Sequence, residues 1–175
     1  MAGQRRKSLA RDTRGATVVE FALLAPIFFA LLTAILQTSM QYFAAQVLES
    51  GVQDASRAIR VGLARNENWS LDDYKENVCS RLYGLFGDCA DMHVDVRQID
   101  NFESADYTVP LDRTCQTACQ WTAPEQWAQG GSSAVMLVQV HYRYPAVLQI
   151  PFGANRLGDG RSLLSAATVF RNEPF

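Results

Sequence analysis

The sequence predicts an α+β protein in which a long N-terminal helix, membrane half plus amphipathic half, packs on a small antiparallel β-sheet. Three observations predict it. Residues Gly15 to Leu36 form an apolar run whose only charge is Glu20. Beyond Gln37 the apolar positions Phe43, Val47, Leu48, Val52, Ala55 and Ile59 recur near the helical period. Further on, Met92–Ile99 and Ala134–Tyr144 alternate in the two-residue rhythm of strands.

The elements follow in chain order from a charge asymmetry. The chain has 175 residues, enough for one modest domain with its own core. Before Gly15 stand Arg5, Arg6, Lys7, Arg11 and Arg14 with a single acid, Asp12. These are 5 of 16 basic and 1 of 18 acidic side chains, so the remainder carries 11 and 17, a balance of −6. A basic leader on an acidic body does not suit nucleic-acid binding, where Lys and Arg line a folded surface. It does suit orientation across a membrane, with the basic side in the cytoplasm and the body outside.

At the helical rise the run from Gly15 to Leu36 spans about 33 Å, close to the ~30 Å hydrocarbon core. Aliphatic and Phe side chains lie on every face, unlike a helix buried in a soluble core. A cleaved secretory signal fits less well. The run is too long, and Thr33 and Ala34 lead straight into Ile35 and Leu36 rather than into a cleavage site. The helix then continues to about Ala64, with a kink expected at Pro26. Small residues at Ala44, Ala45, Gly51, Ala55, Ala58 and Gly62 would allow close packing on its lower half.

After a polar break at 66–70, Ser70 suits an N-cap, with Asp72 and Asp73 in the first turn of a second helix. Its apolar positions, Leu71, Tyr74, Val78, Leu82, Leu85 and Phe86, carry it to about Leu85, before Gly87 and Asp88. Met92–Ile99 reads as a strand with Val94 and Val96 opposite His93, Asp95 and Arg97. Asn101–Gly131 shows little periodicity and contains Pro110 and Pro124. Ala134–Tyr144 is the clearest strand, with Val138, Val140, Tyr142 and Tyr144 on one face. Pro151 and the turn-rich 153–160 separate it from a last strand, Ser162–Arg171, expected antiparallel to it. The organisation is therefore a leader at 1–15, a transmembrane helix at 16–36, its amphipathic continuation at 37–65 and an exported α+β head at 66–175.

The cysteines Cys79, Cys89, Cys115 and Cys119 all lie in that head, an even count compatible with disulfides in an oxidising compartment. Nine residues separate the first two and three the second two, which is not a zinc ribbon or knuckle. A Cys79–Cys89 bridge would pin the helix end, and Cys115–Cys119 would close a small loop; cross-pairing stays open. Trp121 and Trp127 are read as buried under the 101–131 segment rather than facing a partner. His93 and His141 sit in no metal spacing. The chain has no nucleophile elbow or phosphate loop, and Asp72, Asp73, Asp88 and Asp91 lack calcium-loop order. Neither an enzyme, nor a metal or cofactor, nor a small-molecule substrate is expected.

Glu20 carries the functional reading. A carboxylate in hydrocarbon is costly and normally has a partner or a role. Cleavage between Gly15 and Ala16 would give Ala16 a free ammonium group and make Glu20 the fifth residue. Glu20 would then neutralise the amine of a neighbouring subunit and register one copy against the next. The alternative leaves Glu20 at the lipid boundary or protonated.

The stretch Arg14-Gly15-Ala16-Thr17-Val18-Val19-Glu20-Phe21 resembles the processing site of type IV prepilins of the tight-adherence (Tad, or Flp) class. In that class a glycine precedes the cut, and a glutamate at the fifth mature position is followed by an aromatic. The major pilins have Tyr there and very short mature chains. With Phe21 and a long body, this sequence is similar instead to the TadE-like minor pilins, or pseudopilins. Its ending, Ala166 to Phe175, resembles the family's closing strand and tail; the middle resembles it weakly. The resemblance implies a type IV pilin-like fold and cleavage after Gly15 by a prepilin peptidase, with Glu20 and Phe21 in assembly. The implied partners are the membrane, that peptidase, other major and minor pilins and the Tad secretion platform. The implied location is the bacterial inner membrane, head in the periplasm, with incorporation into an extracellular pilus as a further expectation. The rival reading is an uncleaved single-pass envelope adhesin or binding protein.

Overall fold

The computed structural model describes residues 15–112, 114–117, 119–145 and 157–175. The basic leader before Gly15, Pro151 and Gly153 lie outside the described residues. The chain divides into two compact units, one ending at Ser39 and one from Met40 to Phe175.

The first helix, α1, runs Ala16–Arg60 and continues through Pro26. Up to Ser39 it is open on all sides: Val18, Phe21, Leu24, Phe28, Leu31 and Ile35 are exposed. This stretch is long and apolar enough to cross a membrane. Three of its hydroxyls bond back to the helix. Thr33, Thr38 and Ser39 donate to the carbonyls of Phe29, Ala34 and Ile35 at 2.6, 2.8 and 2.9 Å.

From Met40 onward the same helix buries one stripe, namely Ala44, Leu48, Gly51, Val52, Ala55, Ser56 and Ile59. Phe43 shares their period but is exposed, because the buried stripe begins at Ala44. Gly51 is a close approach: a Cβ there would stand 3.0 Å from Leu82 Cδ2. The helix stops short of the expected Ala64. Gly62 takes a left-handed φ of 78°, and the Phe175 ring lies where its Cβ would point. A four-residue helix, α2 (Leu63–Asn66), follows.

Helix α3, Leu71–Ser80, opens with a capping box. Ser70 Oγ accepts from the Asp73 amide at 3.2 Å, while the Asp73 carboxylate accepts from the Ser70 amide at 2.7 Å. The Ser70 hydroxyl, which donates to the same carboxylate at 2.7 Å, and then the Ser70 amide hold the Asp73 carboxyl below the usual carboxylate range. The helix ends at Ser80 rather than near Leu85. Left-handed residues at Tyr83, Gly84 and Gly87 turn the chain instead, while Leu82 and Phe86 still bury their side chains.

Four strands form one sheet in the order β2-β1-β3-β4. They are β1 (Met92–Ile99), β2 (Gln126–Trp127), β3 (Val135–Tyr144) and β4 (Ser162–Arg171). β1–β3 and β3–β4 are antiparallel, pairing His93 with His141, Asp95 with Gln139 and Val140 with Ala166. β2 pairs parallel with β1, so the sheet is mixed where an antiparallel one was expected. Parallel neighbours need a long crossover, and 100–125 supplies it.

One sheet face carries Val94, Val96, Met136, Val138, Val140 and Leu164 into a core with Leu48, Val52, Ile59, Tyr74, Val78 and Phe86. Tyr74 is fully buried, shares a 3.1 Å hydrogen bond with Ser56, and has its phenol pushed up to about 12 by desolvation. The opposite face carries a smaller cluster, Leu111, Cys119, Leu157 and Leu163, beneath the crossover. The tail returns to the helix: the Glu173 amide donates to the Arg60 carbonyl at 2.9 Å.

Candidate processing and assembly site

Gly15 immediately precedes α1 and is exposed, and a Cβ there would meet nothing within 4 Å. Packing therefore does not require glycine at this position. Ala16 is the first residue of α1, where amide groups lack helical acceptors and the helix dipole is positive. Glu20 follows four residues later, on the same helix face. Among the described residues it makes no hydrogen bond or ion pair. Phe21 is 67% exposed beside it. The structure thus brings Gly15, Ala16, Glu20 and Phe21 together within about two helical turns. It offers Glu20 no partner from within the described chain.

The cysteine candidates pair locally, Cys79 with Cys89 and Cys115 with Cys119, at Cα separations of 6.1 and 5.1 Å. The first bridge ties the end of α3 to the approach to β1. The second closes a loop of the crossover over the far sheet face. No described cysteine is free.

That far face holds a polar seam that strand alternation alone did not reveal. The His93 ring stacks on Trp121 at 4.3 Å and 18°. Arg143 lies 5.5 Å from the same Trp121 ring and donates to the Cys119 carbonyl at 2.8 Å. Asp91 binds both Arg143 and Arg161 at 2.5 Å, and His141 Nδ1 meets Ser165 Oγ at 2.9 Å. His93 is buried, and among the described residues its Nε2, Asp95 Oδ1 and Gln139 Oε1 have no hydrogen-bond partner. Desolvation pushes the His93 imidazole down and the Asp95 carboxyl up from their ordinary values. Trp127 is half-buried on the other side, donating to the Trp69 carbonyl at 2.9 Å and packing on Tyr74. Among the described residues no three His, Cys, Asp or Glu side chains converge as metal ligands. The seam clamps the crossover to the sheet. Its only sequence signal was the polar set opposite Val94 and Val140.

Among the described residues one helix is long and apolar enough to cross a membrane, which suggests a single-pass anchor beside the disulfide-stapled α+β head. Residues 15–57 match the family model described as TadE-like protein. The matched segment holds Gly15, Ala16, Glu20 and Phe21 and most of α1, and it bears out the TadE-like resemblance over that stretch. Comparison with curated proteins finds no match, and comparison with solved structures finds none either.

Proposed function

We propose that the chain is a minor pilin or pseudopilin of a Tad-type pilus. It is inserted with Met1–Arg14 in the cytoplasm and the head outside, and a prepilin peptidase cuts it after Gly15. The mature subunit then packs through the apolar part of α1 with other major and minor pilins, delivered through the Tad secretion platform. The observation that carries this reading is Glu20, without a partner among the described residues and one turn after Ala16, on the part of α1 up to Ser39 whose apolar side chains are open.

The physical logic is a shared desolvation cost. The new ammonium of Ala16 and the carboxylate of Glu20 are each expensive to bury alone, but paired between subunits they offset one another. An unobstructed Gly15 suits a cleavage site, because a peptidase must reach the backbone on both sides of the bond. Two disulfides in the head agree with an oxidising compartment beyond the membrane.

Intact-mass and N-terminal analysis of the protein from its native host tests this reading. The expected chain begins at Ala16. A chain retaining Met1–Gly15 in cells with an active prepilin peptidase would overturn it, leaving an uncleaved envelope-anchored binding protein.

A further inference from the structure

The exposed apolar surface of α1 does not end at Leu36. Met40, Tyr42 and Phe43 are 51%, 70% and 54% exposed, and Ala44, at 1%, is the first helix residue to be buried. The polar groups between Leu36 and Phe43 are engaged within the chain. Thr38 and Ser39 donate to helix carbonyls, Gln41 Nε2 donates to Ser162 Oγ at 2.7 Å, and Gln37 also has a partner. Such residues cost little in or near a headgroup layer.

From Val18 to Phe43 the rise of an α-helix is about 38 Å, more than the ~30 Å of hydrocarbon, so not all of this surface sits in the acyl region. Two registers compete. A span over 16–36 leaves Glu20 in hydrocarbon and puts Tyr42 and Phe43 in water. A span centred five residues later places Glu20 at one boundary and Tyr42 at the other, about 33 Å apart along the helix. The second register is better at both ends. A carboxylate near the boundary keeps its hydration, and an amphipathic tyrosine favours the headgroup level.

We propose that the phospholipid interface is the partner of Met40, Tyr42 and Phe43, and that before assembly these residues and Glu20 bracket the bilayer. This rests on the membrane-anchored reading above and adds a step to it. Glu20 stays at the cytoplasmic boundary while the subunit is in lipid, and its carboxylate loses water only when the helix leaves the bilayer for a filament. Registry pairing is thereby coupled to extraction.

The test is a depth profile of the full chain in phosphatidylethanolamine–phosphatidylglycerol vesicles. Single cysteines at Ile27, Leu31, Ile35, Phe43 and Val61, all exposed positions, carry nitroxide labels. Mass analysis verifies one label per chain and intact disulfides. Accessibility is compared between oxygen, which concentrates in lipid, and a water-soluble nickel chelate. The expected maximum depth falls at Leu31, with Phe43 intermediate and Val61 in water. A maximum at Ile27, with Phe43 as open to nickel as Val61, would overturn the register while leaving the anchor intact. A profile with no oxygen-rich position would overturn the anchor reading and the register with it.

Discussion

The two stretches of α1 are one helix by hydrogen bonding and two materials by packing. Up to Ser39 its Val, Leu, Ile and Phe side chains stand open on every face; from Ala44 the buried residues recur as a single stripe. Helix propensity does not separate them. The difference is what covers the apolar atoms. The second stretch finds its cover in the sheet and α3, within the same chain. The first finds none among the described residues, and under the proposed function lipid or other subunits cover it. A residue in the first stretch should therefore matter for insertion and assembly, and one in the second for folding of the head.

The largest expected effect breaks that symmetry at its one charge. Glu20→Ala should abolish or sharply reduce pilus assembly while leaving membrane insertion intact, read by counting filaments and by membrane fractionation in the native host. Normal piliation in that variant would remove the registry role. Next in size is a paired truncation. Leu48→Ala should destabilise the head by about 2–5 kcal/mol, the usual range for a leucine lost from a core. Leu31→Ala should leave the head's denaturant midpoint unchanged. Equal effects of the two would mean that the open stretch is part of the folded core. Smaller again is removal of the Cys79–Cys89 bridge by the double Cys→Ser change. Its 10-residue separation predicts a loss of about 2–3 kcal/mol from the head. An unchanged unfolding midpoint would show that the buried Leu82 and Phe86 anchor the turn without it.

The contrast also explains what the sequence made legible. The anchor and the stripe were readable because composition reports the first and the 3.6-residue period the second. Gly15, Ala16, Glu20 and Phe21 were readable because their chemistry is local, lying within about two turns. The strands Met92–Ile99 and Ser162–Arg171 were readable at both ends. Other features depended on distant partners. Phe43 keeps the period of the buried stripe, but nothing local says that the cover begins one residue later. Tyr83 gave no sign of ending α3, since a left-handed tyrosine is not a turn signal as glycine is. A two-residue strand such as β2 has no alternation to detect. His93 and Asp95 read only as the strand face opposite Val94 and Val96, because the segment that covers them, 101–125, has no period of its own.

That covered polar face yields the smallest prediction, and the one that contrasts most with Glu20. Glu20 is exposed in the described chain; His93 is a titratable group sealed away from water. Burial holds its folded-state value below the ordinary ~6.5, so the neutral ring is the form that folds best. Around it Glu125 and Asp95 favour the charge while Lys75 and Arg143 oppose it, and desolvation outweighs them. A depressed histidine contributes stability that is complete above about pH 6.5 and is lost as pH falls toward and through the folded value. Asp95 acts in the other sense. Its raised value means the head gains stability as pH falls from there toward the ordinary ~3.9, in a lower window. The unfolding midpoint of the wild-type head should therefore decline between about pH 7.5 and 5.5, and less so in His93→Gln. Parallel curves for the two proteins would show that the Trp121 stack holds as well with an imidazolium as with a neutral ring. The seam would then be a clamp indifferent to acid.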